Sequence, residues 1–351
     1  MTTRYDYGAL RRFASDLFRS AGLEADKAEN VAEILIEADL MGHTTHGLAL
    51  VPWYFDAIAA GTMNMSGEPA IVSDRGACVA WNGKRLPGTW LTTKAVDLAV
   101  ERAATYGTVT VAISESHHIG ALAAYLPRAT ERGYMITIAS STTTASGVAP
   151  FGGTKPVFTP NPLAAGIPTE GDPILLDISA SITTLNLARQ LAKEGRKFPQ
   201  PWVMDAAGNP TDDPAAVLTG GGSLLPVGGL DHGHKGYSLA LLVEAMTQGI
   251  SGFGRSDRPT GMSASVFVQV IDPTAFGGKD GFMRQTTWLA EACKNNPPRK
   301  GVDKVRVPGE RALVYKREAL AHGVPLSAPI VDGLRPHSEK FGLEMPRPLA
   351  S

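Results

Sequence analysis

Short runs rich in apolar and β-branched residues, Thr108–Ile113, Met135–Ala139, Ala164–Ile167, Ile174–Ile178 and Val266–Ile271, recur through the middle of the chain. Several alternate too little to leave one face wet, so they predict strands of a sheet covered on both sides. Another β-rich run, Cys78–Trp81, stops at the turn pair Asn82-Gly83, and the residues between it and Thr108 predict a helix over roughly 92–105.

Outside this block the period is helical. Leu10, Phe13, Ala14, Leu17 and Phe18 fall at i, i+3, i+4, i+7 and i+8, an amphipathic stripe that Gly22 can end. Val31, Ile34, Leu35 and Ala38 repeat the stripe, and a short helix is predicted from Pro52 to Ala60. Helical patterning returns from Arg317 to Gly342 with a break at Val324-Pro325, so the C-terminus is expected to pack beside the N-terminal helices. The expected organisation is a helical cap from 1–70 with 312–351 beside it, around an α/β core over 71–311. Gly220–Gly222 and Asn295–Arg299 read as loops within that core.

With 351 residues at 43% hydrophobic, the chain exceeds what one core usually accommodates. A net charge of −1 supplies no basic face for a phosphate backbone, so nucleic acid is not an expected partner. The start MTTRYDYGALRRFASDLF is polar, and no stretch is long and apolar enough to span a membrane, so a soluble cytoplasmic protein is expected. Cys78 and Cys293 lie far apart without CxxC spacing, which suits a reducing compartment and argues against a disulfide framework or thiolate zinc site.

Four polar clusters could carry chemistry. Gly42-His43-Thr44-Thr45-His46-Gly47 sets imidazoles and hydroxyls at a helix end, where a histidine can exchange a proton near neutral pH and a neighbouring hydroxyl can orient it. Hydrogen-bonded surface histidines are the plain alternative. Ser114-Glu115-Ser116-His117-His118-Ile119-Gly120-Ala121 follows a predicted strand and precedes the helix-like run Leu122–Gly133, a junction whose free amides suit an anion; helix capping by a histidine is the alternative. Asp231–Tyr237 places Lys235 among glycines, able to reach a phosphate or ribose or else simply solvated. Arg306–Arg311 joins guanidinium groups to a Pro-Gly turn that could grip phosphate, or be an ordinary charged turn. No GxGxxG follows a strand, and neither GxxxxGK[ST] nor GxSxG occurs, which disfavours Rossmann, phosphate-loop and α/β-hydrolase readings.

In order, these clusters resemble the malate/L-lactate dehydrogenase family. Gly42–Gly47, Ser116–Ala121, Val148–Gly153 leading to Asn161-Pro162, Leu176-Asp177 and Lys235-Gly236-Tyr237 carry the resemblance through nearly the whole chain. It implies a homodimeric oxidoreductase with a non-Rossmann α/β core, moving hydride between NAD or NADP, NAD slightly preferred, and a small 2-hydroxy or 2-oxo acid. It assigns His46 as proton donor, Thr45 as its orienting hydroxyl, in place of the usual serine, and His118 as the second active-site histidine. It places cofactor at His118, Ile119, Gly120, Ala121, Leu122, Thr144, Asp177, Ile178, Ser179, Lys235, Arg306, Pro308, Gly309 and Glu310, and Asn161 in a segment lining the site, with no metal. The family often carries an arginine four residues after the histidine; here Leu50 stands there, so the substrate carboxylate needs another cation or the substrate is larger and less polar.

A cyclic imino acid such as piperideine-2-carboxylate is an alternative substrate, although Leu185-Asn186-Leu187 lacks the histidine and aspartate of some imine-reducing members. A metal-dependent hydrolase built from His43, His46, His117, His118, His232, His234 and Asp231 is the rival from another class, lacking HExxH spacing. A catalytically silent binding protein that keeps the fold is the third.

Overall fold

The computed structural model describes residues 2–349. Strand β1 (Thr2–Tyr5) leads into helices α1 (Tyr7–Ser20), α2 (Ala25–Leu40) and α3 (Val51–Ala59). The α1 stripe is buried as its spacing predicts, in one cluster with Val31, Ala32 and Leu35 of α2 and Val51 and Tyr54 of α3. Strands β2 (Ala70–Asp74) and β3 (Cys78–Asn82), helix α4 (Gly88–Tyr106) and strand β4 (Thr108–Ser116) follow. Next come β5 (Met135–Thr142), β6 (Leu163–Ile167), β7 (Ile174–Ile178), α5 (Leu185–Lys193), α6 (His234–Glu244) and β8 (Ala264–Ile271). The chain closes with α7 (Lys279–Lys294), α8 (Glu310–His322), β9 (Val324–Ser327) and α9 (Ala328–Phe341).

One seven-stranded sheet runs in the order β2-β3-β4-β8-β5-β6-β7. Only β3 and β4 are parallel neighbours, joined by the crossover helix α4; the other neighbours are antiparallel. The register stacks Val111, Val268 and Ile138 across the three central strands, with Val109, Val270 and Ile136 one step along. These side chains are fully buried against Leu91, Ala95, Val96 and Ala99 of α4. On the opposite face Ala139 and Phe267 are covered by Val243 of α6 and by Met246. The cover is incomplete: Thr110, Gln269 and Thr137, aligned across the same strands, are half-buried, and Gln269 donates to the Thr110 hydroxyl at 3.1 Å. The expected dry second face therefore extends over part of the sheet.

β1 and β9 pair antiparallel, an association of the two ends of the chain that no local pattern announces. Around it Leu10 and Phe18 share a hydrophobic cluster with Ala319, Leu326, Ile330 and Leu334. The expected C-terminal helical segment starts earlier, at Glu310, and its break at Val324-Pro325 is a strand. A small three-stranded sheet of Val203–Met204, Pro210–Thr211 and Ser223–Leu224 was also not anticipated.

The helix expected after residue 121 is not continuous. Leu122–Tyr125 forms one 3-10 turn and Pro127–Thr130 one short α-turn. Proline lacks the N–H that would bond to the Ala123 carbonyl, and Leu126 N–H takes that carbonyl instead at 3.2 Å.

Candidate active site

Helix α2 ends in a Schellman turn. Gly42, at φ +82°, lets its N–H reach the Asp39 carbonyl while His43 N–H reaches that of Ala38. The chain then makes a single 3-10 turn over Thr44–His46. Beneath it lies the buried side chain of Asp39, whose Oδ2 accepts Leu48 N–H at 2.8 Å. A Cβ on Gly47 would lie 2.3 Å from that carboxyl, so only glycine lets the turn settle so low. Burial pushes the Asp39 carboxyl up to about 7.

The turn faces the end of β4. His46 and His118 lie with ring centroids 6.0 Å apart and nearly parallel planes. Nδ1 of His118 accepts Gly120 N–H at 3.2 Å, and the Tyr54 hydroxyl lies 3.1 Å from the same nitrogen. A backbone amide can only donate, so Nδ1 carries no proton and the neutral ring holds its hydrogen on Nε2. Burial, then the neighbouring His46 and His117 rings, push His118 down to about 3, so it meets a ligand as a neutral N–H donor. Nδ1 of His46 lies 3.0 Å from the exposed Thr45 hydroxyl, leaving Nε2 as its free nitrogen. Burial, with His43 adding to it, lowers His46 as well. His117 differs: it is fully buried against Trp53 and Tyr54, and among the described residues neither ring nitrogen has a partner. It caps no helix.

The histidine pair lines a cavity of about 420 Å³ at the carboxyl ends of β4, β5 and β7 and the amino end of β8. Of the residues singled out in the sequence, His46, His118, Ile119, Gly120, Ala121, Leu122, Asp177, Ile178 and Ser179 line it together. A second cavity of about 430 Å³ shares His43, Asp177 and Ile178 with the first and adds Arg306, Pro308 and Gly309. Asp177 sits at the junction, where its Oδ2 accepts Ala123 N–H at 2.9 Å, so that amide is already taken; burial raises its pKa.

The remaining predicted residues stand apart from these linings. Leu50 packs against the hydrophobic cluster of the N-terminal helices. The Asn161 side chain is fully buried and turned away, donating to Glu244 Oε1 at 3.0 Å and to the Ala240 carbonyl; it braces the wall formed by Thr159, Pro160 and Pro162. Glu310 is the first residue of α8 and bonds to Lys304. Thr144 and Lys235 are exposed and outside both linings. Conversely, sequence reading passed over Ser140, Thr142, Met262 and Arg189. The hydroxyls of Ser140 and Thr142 fall at the end of a predicted strand and could have been found; Arg189 lies in a helix with no motif. No three His, Cys, Asp or Glu side chains among the described residues converge as a metal-ligand set, so the histidine-based hydrolase lacks its geometry. His232 and His234 form a separate pair near Phe151.

The malate/L-lactate dehydrogenase family model matches residues 5–335. The chain belongs to this family. It is 32% identical over 318 residues to an L-lactate dehydrogenase of Cupriavidus necator, covering 88% of this chain and 90% of that one. It is 29% identical over 336 residues to a malate/(S)-sulfolactate dehydrogenase of Methanothermus fervidus, covering 94% and 95%. The crystal structure of malate dehydrogenase from Entamoeba histolytica superposes with a TM-score of 0.92 at 25% identity, covering 99% and 100%. As a member of the malate/L-lactate dehydrogenase family this chain is an oxidoreductase of 2-hydroxy acids, built on the mixed sheet described above.

Proposed function

We propose that the chain interconverts a small 2-hydroxy acid and its 2-oxo acid with NAD or NADP, NAD slightly preferred, using His46 as proton carrier and His118 as a neutral hydrogen-bond donor. The pairing of the two rings over one cavity carries this reading. Two cavities that meet at Asp177 and Ile178 suit an extended dinucleotide, with Arg306, Pro308 and Gly309 at the far end for a phosphate and Ile119–Leu122 and Ser179 at the near end. Bound there, the nicotinamide supplies or takes the hydride.

The residues of the chain manage the oxygen. When Nδ1–H of His46 donates to the Thr45 hydroxyl, Nε2 carries the lone pair that accepts the hydroxyl proton as the alcohol is oxidised. Nε2–H of His118 donates to the same oxygen and stabilises charge that develops on it. In the reverse direction the protonated His46 returns its proton to the oxygen. Thr144 and Lys235 are assigned to the cofactor through the family resemblance, and Lys235→Ala tests that assignment by weakening NADH binding.

We also propose a cytoplasmic homodimer. Leu241 and Leu242 on α6 and Ile250 beyond it are 48%, 53% and 57% exposed, apolar surface suited to a second copy. The two exposed cysteines are unpaired, in keeping with a reducing compartment. No helix among the described residues is long and apolar enough to cross a membrane.

The deciding experiment is a fluorescence titration with NADH and NADPH, followed by a panel of 2-oxo acids and cyclic imines. Saturable binding and oxidation with a 2-oxo acid supports the proposal. Oxidation with cyclic imines alone replaces the substrate, and absence of cofactor binding overturns it.

A further inference from the structure

We infer that Arg189 is the carboxylate anchor of this enzyme, doing from α5 what position 50 cannot do with leucine. The inference rests on the function proposed above, because a 2-hydroxy acid brings a carboxylate that a working site has to neutralise.

The cavity holding His46 and His118 is poor in positive charge. Both rings are held toward their neutral forms, and Asp177 contributes a carboxyl that would repel an acid. Among the described lining residues Arg189 is the only guanidinium or ammonium. Leu50 packs into the cluster of N-terminal helices and is absent from the lining, so position 50 gives the cavity no polar group.

The construction of α5 presents Arg189 to the cavity. The Thr184 hydroxyl caps the helix by accepting Leu187 N–H at 3.2 Å and itself lines the cavity. Leu185, Asn186 and Arg189, at i, i+1 and i+4, line it from one helix face. Ala188 and Leu191 are buried in a separate apolar cluster with Val203 and Leu224, which holds the helix in place. Arg189 is exposed at the cavity wall, where its Nη1 donates to Asn186 Oδ1 at 2.8 Å, and among the described residues its guanidinium bonds to no carboxylate. The fork is thus oriented by a neutral amide while its remaining N–H groups stay available for bidentate contact with an acid. Arg306 at the far cavity, by contrast, already pairs with Asp303 and lies where the cofactor phosphates are proposed.

The test uses oxalate, a 2-oxo acid mimic that cannot be reduced, titrated calorimetrically into the NADH-loaded protein, beside steady-state kinetics with the best-reduced acid of the panel. Arg189→Met should weaken oxalate binding and raise KM by about 10- to 100-fold, with a smaller change in kcat and an unchanged NADH dissociation constant. Arg189→Lys should recover part of the loss, since a point charge replaces the fork. Oxalate binding within threefold of wild type in Arg189→Met overturns the inference. So does an equal loss of NADH affinity, which would assign the guanidinium to the cofactor, and so does a wild-type protein that binds no oxalate. Wild-type protein that binds oxalate through Arg189 yet reduces no 2-oxo acid would overturn the proposed reaction and leave the anchor standing.

Discussion

Two imidazoles share the cavity, yet their hydrogen bonds give them different work. His118 has a backbone N–H on Nδ1 and can only donate from Nε2, whereas His46 faces a hydroxyl that accepts or donates as its tautomer requires. His46→Ala should therefore lower kcat by ~10²–10⁴ with NADH affinity nearly unchanged. Oxidation needs neutral His46, which burial and His43 hold below the usual 6.5, so kcat/KM for oxidation should rise through an apparent pKa under 6.5 and stay level to pH 8. A pH–rate profile with its rise above pH 7 would contradict the role. Asp39 gives a stability prediction at the same scale. Its carboxyl is raised from 3.8 when unfolded to about 7 when folded, so its ionisation destabilises the fold progressively from pH 4 to 7 and fully above. Asp39→Asn keeps an acceptor for Leu48 N–H and removes the charge. It should raise the melting temperature at pH 8, by up to an order of 4 kcal/mol in stability, and leave it almost unchanged at pH 4.

Among the elements, α4 links the core to the site most directly. Its first residue, Gly88, abuts the chain after β4 so closely that a Cβ there would lie 2.1 Å from the His117 carbonyl oxygen and 2.6 Å from that of His118. Helix propensity alone favours alanine at such a position by about 1 kcal/mol. Contact reverses the sign: Gly88→Ala should lower the urea midpoint and cut kcat at least tenfold, because either α4 or the His118 turn has to move. A stabilised variant with full activity would show that the packing at this junction is looser than the distances imply. α5 has the opposite character, with one face anchored in its own apolar cluster and the other forming cavity wall, so changes on its cavity face should alter ligand binding more than stability.

At the scale of the molecule, the site is assembled from distant stretches of sequence. α2 delivers His46, β4 delivers His118, β7 delivers Asp177, and β8 enters the middle of the sheet to complete the wall with Ala264. Cofactor binding should accordingly protect all four regions from amide hydrogen exchange at once. The proposed dimer predicts a sedimenting mass near twice the 37.0 kDa of one chain, and Leu241→Glu with Leu242→Glu should shift it toward monomer. A monomeric wild-type chain would remove that proposal without touching the active-site geometry.

Local physics made much of this legible in advance. Helical and alternating periods report which side of an element meets apolar neighbours, so α1, α2, α3 and the main strands fell close to their predicted positions. Motif residues at the ends of α2 and β4 marked the histidines, since glycines and polar residues concentrate where the backbone turns tightly. Other features depended on partners far along the chain. The pairing of β1 with β9 and the insertion of β8 between β4 and β5 satisfy backbone hydrogen bonds that no window of sequence contains. The segment around Asn161 lines the cavity as expected, through Thr159, Pro160 and Pro162, but the Asn161 amide itself is held by Glu244, far away in sequence. Arg189 belongs to no motif, and only the packing of the helix beside the cavity makes it part of the wall. A side chain's type states what bonds it can make; which of them it makes is decided by what the fold sets within 3 Å of it.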